Sequence, residues 1–438
     1  MSAFRFLKRH SLGCTAPVLA GAVLMLICPH PVEALDGAGR DGSGRDGVAP
    51  AAVTLTAERI RMNQRVFDRV WDEVKRSYYD PQLHGVDWSA ARATFRPQAL
   101  AAPDDAALYR AIGRMLALLD DSHASVASPA AVRNQAEVRT RRAVMGLTFA
   151  SRDGVEDYVI ERVRPGSPAE QAGVEVGWRL KAPTPHRPWT VEDPVVAGRA
   201  IDLAFTDTTG VEQTVVVTPR IMEPVPPFSV DRSRNDVLVL RVEQFESGLG
   251  NWMGAQLKGL PQETEVVLDL RANPGGLLGE ADAVLSCFLP GRTAWAVRTS
   301  RSGQAATLRV RPGCGPLEGP APNSLAVLID GSSRSAAELT PAALQEAGRA
   351  VVVGERSPGA VLISRDTDLP DGGRLTLSRA DFVTVRGVRL EKRGVTPDVV
   401  AETTTDDRRA GRDVVLEAAL SALRERPTAS AANDLDPG

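Results

Sequence analysis

The chain has 438 residues, of which 43% are hydrophobic, 24% charged and 5% aromatic, a composition that excludes a disordered or fibrous protein. That length exceeds what one core organises and implies about three domains. A formal net charge of −3 at pH 7, with no basic stripe interleaved with aromatics, argues against a nucleic-acid partner.

The N-terminus carries Arg5, Lys8 and Arg9, then an apolar stretch from Ala16 to Cys28, then Pro29 to Ala34, which is the pattern of a secretory signal peptide. Val32 and Ala34 fit the small residues that precede a cut. Residues 1–34 are therefore expected to be removed near Ala34, leaving a mature protein in the periplasm or outside the cell. The apolar run is short for a membrane span of ~20 residues, and only this segment, uncleaved, would touch a membrane. Cleavage leaves Cys287 and Cys314, enough for one disulfide in an oxidising compartment, although their spacing does not decide whether they pair. No C-x-x-C or Cys/His cluster occurs, so no metal and no other cofactor is expected.

Residues 35–54, rich in Gly, Ala and Asp, read as a flexible linker. Residues 55–136 read as an N-terminal helical domain. Ile60, Val66, Val70, Val74 and Tyr78 fall on helical spacing over Ala57–Tyr79, and Leu108, Ile112, Met115 and Leu119 repeat the pattern over Ala106–Leu119. This domain ends at Asp120-Asp121-Ser122-His123. Over residues 137–222 the period becomes alternating, and a small β domain is expected. From Val237 onward the apolar strands Val237–Val242, Glu265–Leu270, Leu325–Ile329 and Val351–Gly354 alternate with helical patterns, which predicts a largely parallel α/β core over residues 223–425 closed by a helix over Arg409–Leu423. The expected fold class is multidomain α/β, and residues 426–438 are expected to form a disordered tail.

Two segments carry chemistry. In Leu325–Glu338 a buried strand feeds the turn Asp330-Gly331-Ser332-Ser333-Arg334, and Ser335 stands at a helix start, where unpaired backbone N–H groups point at whatever the hydroxyl attacks. An N-cap serine would look the same. In Asp269-Leu270-Arg271-Ala272-Asn273-Pro274-Gly275-Gly276 paired glycines follow another strand and allow close backbone approach, so an N–H here could hold an oxyanion; a plain turn would also explain them.

The segment Arg164-Pro165-Gly166-Ser167-Pro168-Ala169-Glu170-Gln171-Ala172-Gly173 resembles the helix start of a PDZ domain. The likeness spans residues 137–222 but frays between Lys181 and Asp193. Gly146 and Leu147 match the PDZ loop whose N–H groups accept a substrate's terminal carboxylate as the peptide adds a strand. In chain order, Tyr78-Tyr79-Asp80, Trp88, Leu119–His123, the PDZ-like segment, Asp269–Gly276, Ser335–Glu338, Gly354-Glu355 and Gly394-Val395-Thr396-Pro397-Asp398 resemble the tail-specific or carboxyl-terminal-processing serine peptidases. The likeness covers roughly residues 55–400. It implies an exported serine endopeptidase acting on protein or peptide substrates, through their C-termini in a PDZ groove, with Ser335 as nucleophile.

One departure matters. The best-known members pair the serine with a lysine, and the matching stretch here, Gly354–Ser364, places Ala360 at that lysine and Ser364 at a following glutamine. The chain holds only five lysines, and of these only Lys392 lies near a motif. A serine hydroxyl needs a base. The family's tricorn-like branch resembles this sequence in using a Ser-His pair from the helical region and a late glutamate, which implies His123 as base, Ser122 as its companion and Glu391 as the orienting acid. The N–H groups of Ala336 and of Gly275 or Gly276 would then hold the oxyanion. The alternative is a catalytically inactive pseudo-peptidase that binds protein C-termini through the PDZ-like domain.

Overall fold

The protein is described by a computed structural model over residues 55–425, apart from 138–141, 152–157, 182–183, 185–194, 312–313, 405, 408–409 and 411. The readings of residues 1–34, 35–54 and 426–438 lie outside the described residues, as does most of the stretch between Lys181 and Asp193.

Helices Ala57–Ser77, Trp88–Leu100 and Asp105–Ala117 open the chain. Each begins at a residue whose side chain accepts an otherwise unpaired first-turn N–H: Thr56, Asp87 and Asp104. The middle helix buries only Trp88, Ala91 and Ala99, too few apolar positions to give a periodic signal. The core between these helices, built on Val66, Phe67, Val70, Leu108, Ile112 and Met115, continues into Leu362, Leu369, Leu375 and Leu377. Strand Ser125–Ala127 pairs antiparallel with Arg374–Thr384, Ser125 opposite Thr376. The helical segment therefore shares its core with strands more than two hundred residues later in the chain.

Residues 147–217 contribute a five-stranded antiparallel sheet in the order Leu147–Ser151, Tyr158–Val163, Arg179–Leu180, Ile201–Thr206, Glu212–Val217. It has its own core around Ile160, Ala169, Leu203 and Phe205, and Leu147–Ser151 is an edge strand of it.

The six-stranded sheet runs Val399–Val400, Val351–Gly354, Leu325–Ile329, Glu265–Asp269, Val237–Val242, all parallel, with Phe228–Asp231 antiparallel at the edge. Its strands alternate between two cores. Leu240, Leu268, Val327 and Val352 face helices Leu249–Leu257, Leu278–Ser286 and Ala336–Glu346, whereas Val267, Ala326, Leu328 and Val353 face helix Val414–Glu425. A parallel sheet covered on both faces is what near-continuous apolar strands require. A second antiparallel sheet joins Ser125–Ala127, Arg374–Thr384, Ala294–Ser300 and Ala305–Arg309, with Ile363–Asp368 also pairing Arg374–Thr384. Cys287 and Cys314, both buried, form a disulfide.

Candidate active site

Strand Leu325–Ile329 is buried along its whole length and ends in a turn pinned by side chains. The Asp330 carboxylate accepts the N–H of Ala272 at 2.9 Å and of Ser332 at 2.9 Å, and the Ser333 hydroxyl donates to the Leu270 carbonyl at 2.9 Å. These bonds tie the turn to the glycine-bearing loop. Arg334 adds its N–H to the Asn273 carbonyl at 2.9 Å.

Ser335 follows with φ +54° and ψ −117°, a conformation that costs a side-chain-bearing residue energy and persists only where surroundings enforce it. Its N–H is held by the Ala360 carbonyl at 2.9 Å and by Glu338 Oε2 at 3.1 Å. Ser335 stands at the N-cap of helix Ala336–Glu346. Glu338 reaches back to the Ser335 N–H, and Ser335 and Glu338 keep the reciprocal capping-box arrangement, so the N-cap reading stands beside the catalytic one.

The glycine loop sits against this turn. A Cβ at Gly275 would come within 2.7 Å of the Ser335 Cβ and 3.1 Å of the Ala336 nitrogen, so only a glycine allows this approach. Asn273 Oδ1 accepts the Gly275 N–H at 2.7 Å, and the Asn273 amide donates to the Val242 carbonyl at 2.7 Å. The Gly275 N–H is therefore committed inside the loop, which corrects the expectation that either glycine could serve as the oxyanion donor. Among the described residues the N–H groups of Gly276 and Ala336 have no hydrogen-bond partner, and Gly276 is exposed.

Ser122, His123 and Glu391 meet. Ser122 Oγ lies 2.9 Å from His123 Nδ1 and donates to Glu391 Oε1 at 2.9 Å. A hydroxyl has one proton; spent on the carboxylate, it leaves the oxygen as acceptor towards His123, so Nδ1 carries the ring proton and Nε2 the lone pair. Glu391, 4% exposed, takes the Val361 N–H on its other oxygen at 3.0 Å. Val361 follows Ala360, whose carbonyl holds the Ser335 N–H, so a short run of bonded groups connects the His123 cluster to the serine. Burial pushes the His123 imidazole below its ordinary value, and Arg334 pushes the same way, against the pull of Asp121 and Glu391.

Ala360, at the position of the missing lysine, is 6% exposed. Lys392 does not replace it: its ammonium pairs with Asp120. Gly146, at φ +90°, is pressed against Ser167, and Leu147 starts the edge strand of the five-stranded sheet.

Two carboxylates escape a motif reading. Buried Glu338 accepts from Ser357 Oγ at 2.6 Å, Gly359 N–H at 2.7 Å and Ala360 N–H at 2.8 Å besides Ser335 N–H. Its Ser-x-x-Glu spacing is a capping-box signal, but nothing local announces the three partners from the next loop. Asp121 Oδ1 accepts from His123 N–H at 2.7 Å, Ala124 N–H at 3.1 Å and Ser378 Oγ at 2.9 Å, fixing the turn that presents His123.

A parallel α/β core with a strained serine at a strand-to-helix turn defines a class of hydrolase, and the comparisons specify it. Residues 236–401 match the model of peptidase family S41, and residues 62–117 match the tricorn protease C1 domain. A carboxyl-terminal-processing protease of Picosynechococcus sp. is 30% identical over 346 residues, covering 76% of this chain and 81% of the relative. One from Synechocystis sp. is 27% identical over 368 residues, covering 81% and 83%. Among solved structures, the photosystem II D1 C-terminal processing protease superposes with a TM-score of 0.57 at 23% identity, over 82% of this chain and 99% of that one. The tricorn protease structure gives 0.50 at 15% identity, over 84% of this chain and 37% of its own. The chain belongs to the carboxyl-terminal-processing protease family, and is a serine-type peptidase acting on proteins or peptides.

Proposed function

We propose that the protein is an exported endopeptidase in which Ser335 attacks the peptide carbonyl while His123 Nε2 removes its proton. Ser122 passes the influence of Glu391 to Nδ1, and the N–H groups of Ala336 and Gly276 receive the oxyanion. The imidazolium then returns its proton to the leaving amine, and water repeats the cycle on the acyl-enzyme. The observation that carries this reading is the Glu391–Ser122–His123 hydrogen-bonded chain, which orients a neutral imidazole in a molecule whose family-position lysine is Ala360. The PDZ-like sheet presents substrate C-termini, supported by the free edge at Leu147–Ser151 and the Gly146 turn beside it. Export is supported by the basic and apolar N-terminus and by the Cys287–Cys314 pairing, which suits an oxidising compartment.

The test is labelling of the purified protein with a fluorophosphonate. Wild type labels, Ser335→Ala and His123→Ala do not, and Lys392→Ala does. An unlabelled wild type would replace this reading with the binding-only one.

A further inference from the structure

Arg334 is the residue immediately before Ser335, and its backbone is fixed on three sides. Its N–H is held by the Asn273 carbonyl at 2.9 Å, its carbonyl accepts from Ala337 at 3.0 Å, and a Cβ at Gly275 would come within 2.7 Å of that oxygen. The side chain, in contrast, is exposed and makes no hydrogen bond or ion pair among the described residues. Several arginines of this region are engaged, Arg241 with Glu243 and Asp269, Arg271 with Asp269 and Asp413, and Arg356 with Thr396, whereas Arg393, near Glu391, is exposed as Arg334 is. Of the carboxylates of the site, Glu338 is buried among four donors and Glu391 binds Ser122 and Val361. An exposed guanidinium with five donors thus stands one residue from Ser335 and close enough to His123 to act on its charge.

We infer that Arg334 is a specificity-determining residue that binds a carboxylate on the substrate close to the scissile bond. The inference rests on the Ser335–His123 reading and narrows its substrate class. Since an extended peptide advances about 3.3 Å per residue, a side chain anchored next to Ser335 reaches only about two residues from the bond. The carboxylate is either an acidic side chain at one of those positions or the free C-terminus of a chain cut close to its end. Charge-assisted pairing of this kind changes kcat/KM by about tenfold or more.

The experiment uses two sets of fluorogenic peptides. One carries Glu, Gln or Lys in turn at each of two positions on either side of the bond, with amidated ends; the other has neutral side chains and a free or amidated C-terminus two residues past the bond. Wild type should prefer the carboxylate in one set, and which set responds identifies the source. Arg334→Gln should cut the carboxylate-to-neutral ratio of kcat/KM about tenfold, Arg334→Lys should retain most of it, and Arg334→Glu should reverse the preference towards Lys. A ratio taken within one variant is insensitive to general loss of folding. An enzyme that labels with fluorophosphonate and cleaves peptides, yet shows equal ratios in wild type and Arg334→Gln, overturns the inference and leaves the Ser335–His123 reading standing. A wild type that neither labels nor cleaves removes both.

Discussion

At the scale of single residues, the His123 cluster makes a prediction about pH. On the proposed mechanism His123 must be neutral to accept the Ser335 proton, and burial together with Arg334 holds its pKa below the ordinary imidazole value. The acidic limb of kcat/KM is therefore expected below about pH 6.5, where an unperturbed histidine would put it. Glu391 favours the protonated ring, so Glu391→Gln should move that limb to still lower pH, and Arg334→Gln should move it up. Opposite displacements in a pH–rate profile separate these charges from simple damage to the fold, whereas limbs that do not move would remove His123 as the titrating base. The sequence showed which residues to consider here but not how they are wired. Ser122, His123 and Glu391 were all readable by motif, yet the order of donors that fixes the tautomer depends on a contact between residues 269 positions apart.

One scale up, the turn from strand Leu325–Ile329 to helix Ala336–Glu346 stands on Glu338. Its two oxygens serve four donors, three of them backbone N–H groups. Glutamine has the same shape but turns an NH2 towards two of those donors, so Glu338→Gln should destabilise by roughly 1–3 kcal/mol in urea unfolding, with activity falling further because Ser335 and the Ala360 loop lose their common anchor. A variant with unchanged midpoint and unchanged kcat would show the carboxylate to be dispensable. The parallel strands were legible almost to the residue, because four buried apolar runs separated by helical patterns admit few other arrangements. The antiparallel sheet of Ala294–Ser300, Ala305–Arg309 and Arg374–Thr384 was not, since strands such as Ala305–Arg309, with burial alternating only between exposed and intermediate, give a weak pattern. The Gly275-Gly276 pair was recognised as a unit, but the division of labour within it required Asn273, whose side chain claims one N–H and leaves the other.

For the molecule as a whole, the helical segment is coupled to the peptidase core at a few strong points. Glu73 receives Arg379 at 2.7 Å, Tyr109 donates to Asp371 at 2.9 Å, and Arg301 donates to the Tyr78 carbonyl at 2.7 Å. Glu73→Ala leaves a part-buried guanidinium without its carboxylate, so a loss of roughly 1–3 kcal/mol in a denaturant titration is expected, with kcat/KM reduced because His123 hangs from this segment. Retained stability with full activity would mean that the helices need no such tie. Reading residues 55–136 as a helical region located Ala57–Ser77 and Asp105–Ala117, but not Trp88–Leu100, whose few buried apolar positions give no period, nor the core shared with Leu362–Leu377, which no local pattern can announce.

The pairing of Ser125–Ala127 with Arg374–Thr384 also sets a timetable. A ribosome delivers His123 long before the strand that will seat it, and Ser335 and Glu391 lie between and beyond. On the proposed mechanism, until residue 391 has been made and the strand from the amino-terminal part has found its distant mate, the growing chain holds the pieces of the site and none of its activity. Closing a loop of about 250 residues is a slow event compared with forming the neighbouring helices. On that mechanism the order of the sequence keeps the newborn enzyme from cutting its surroundings, or itself.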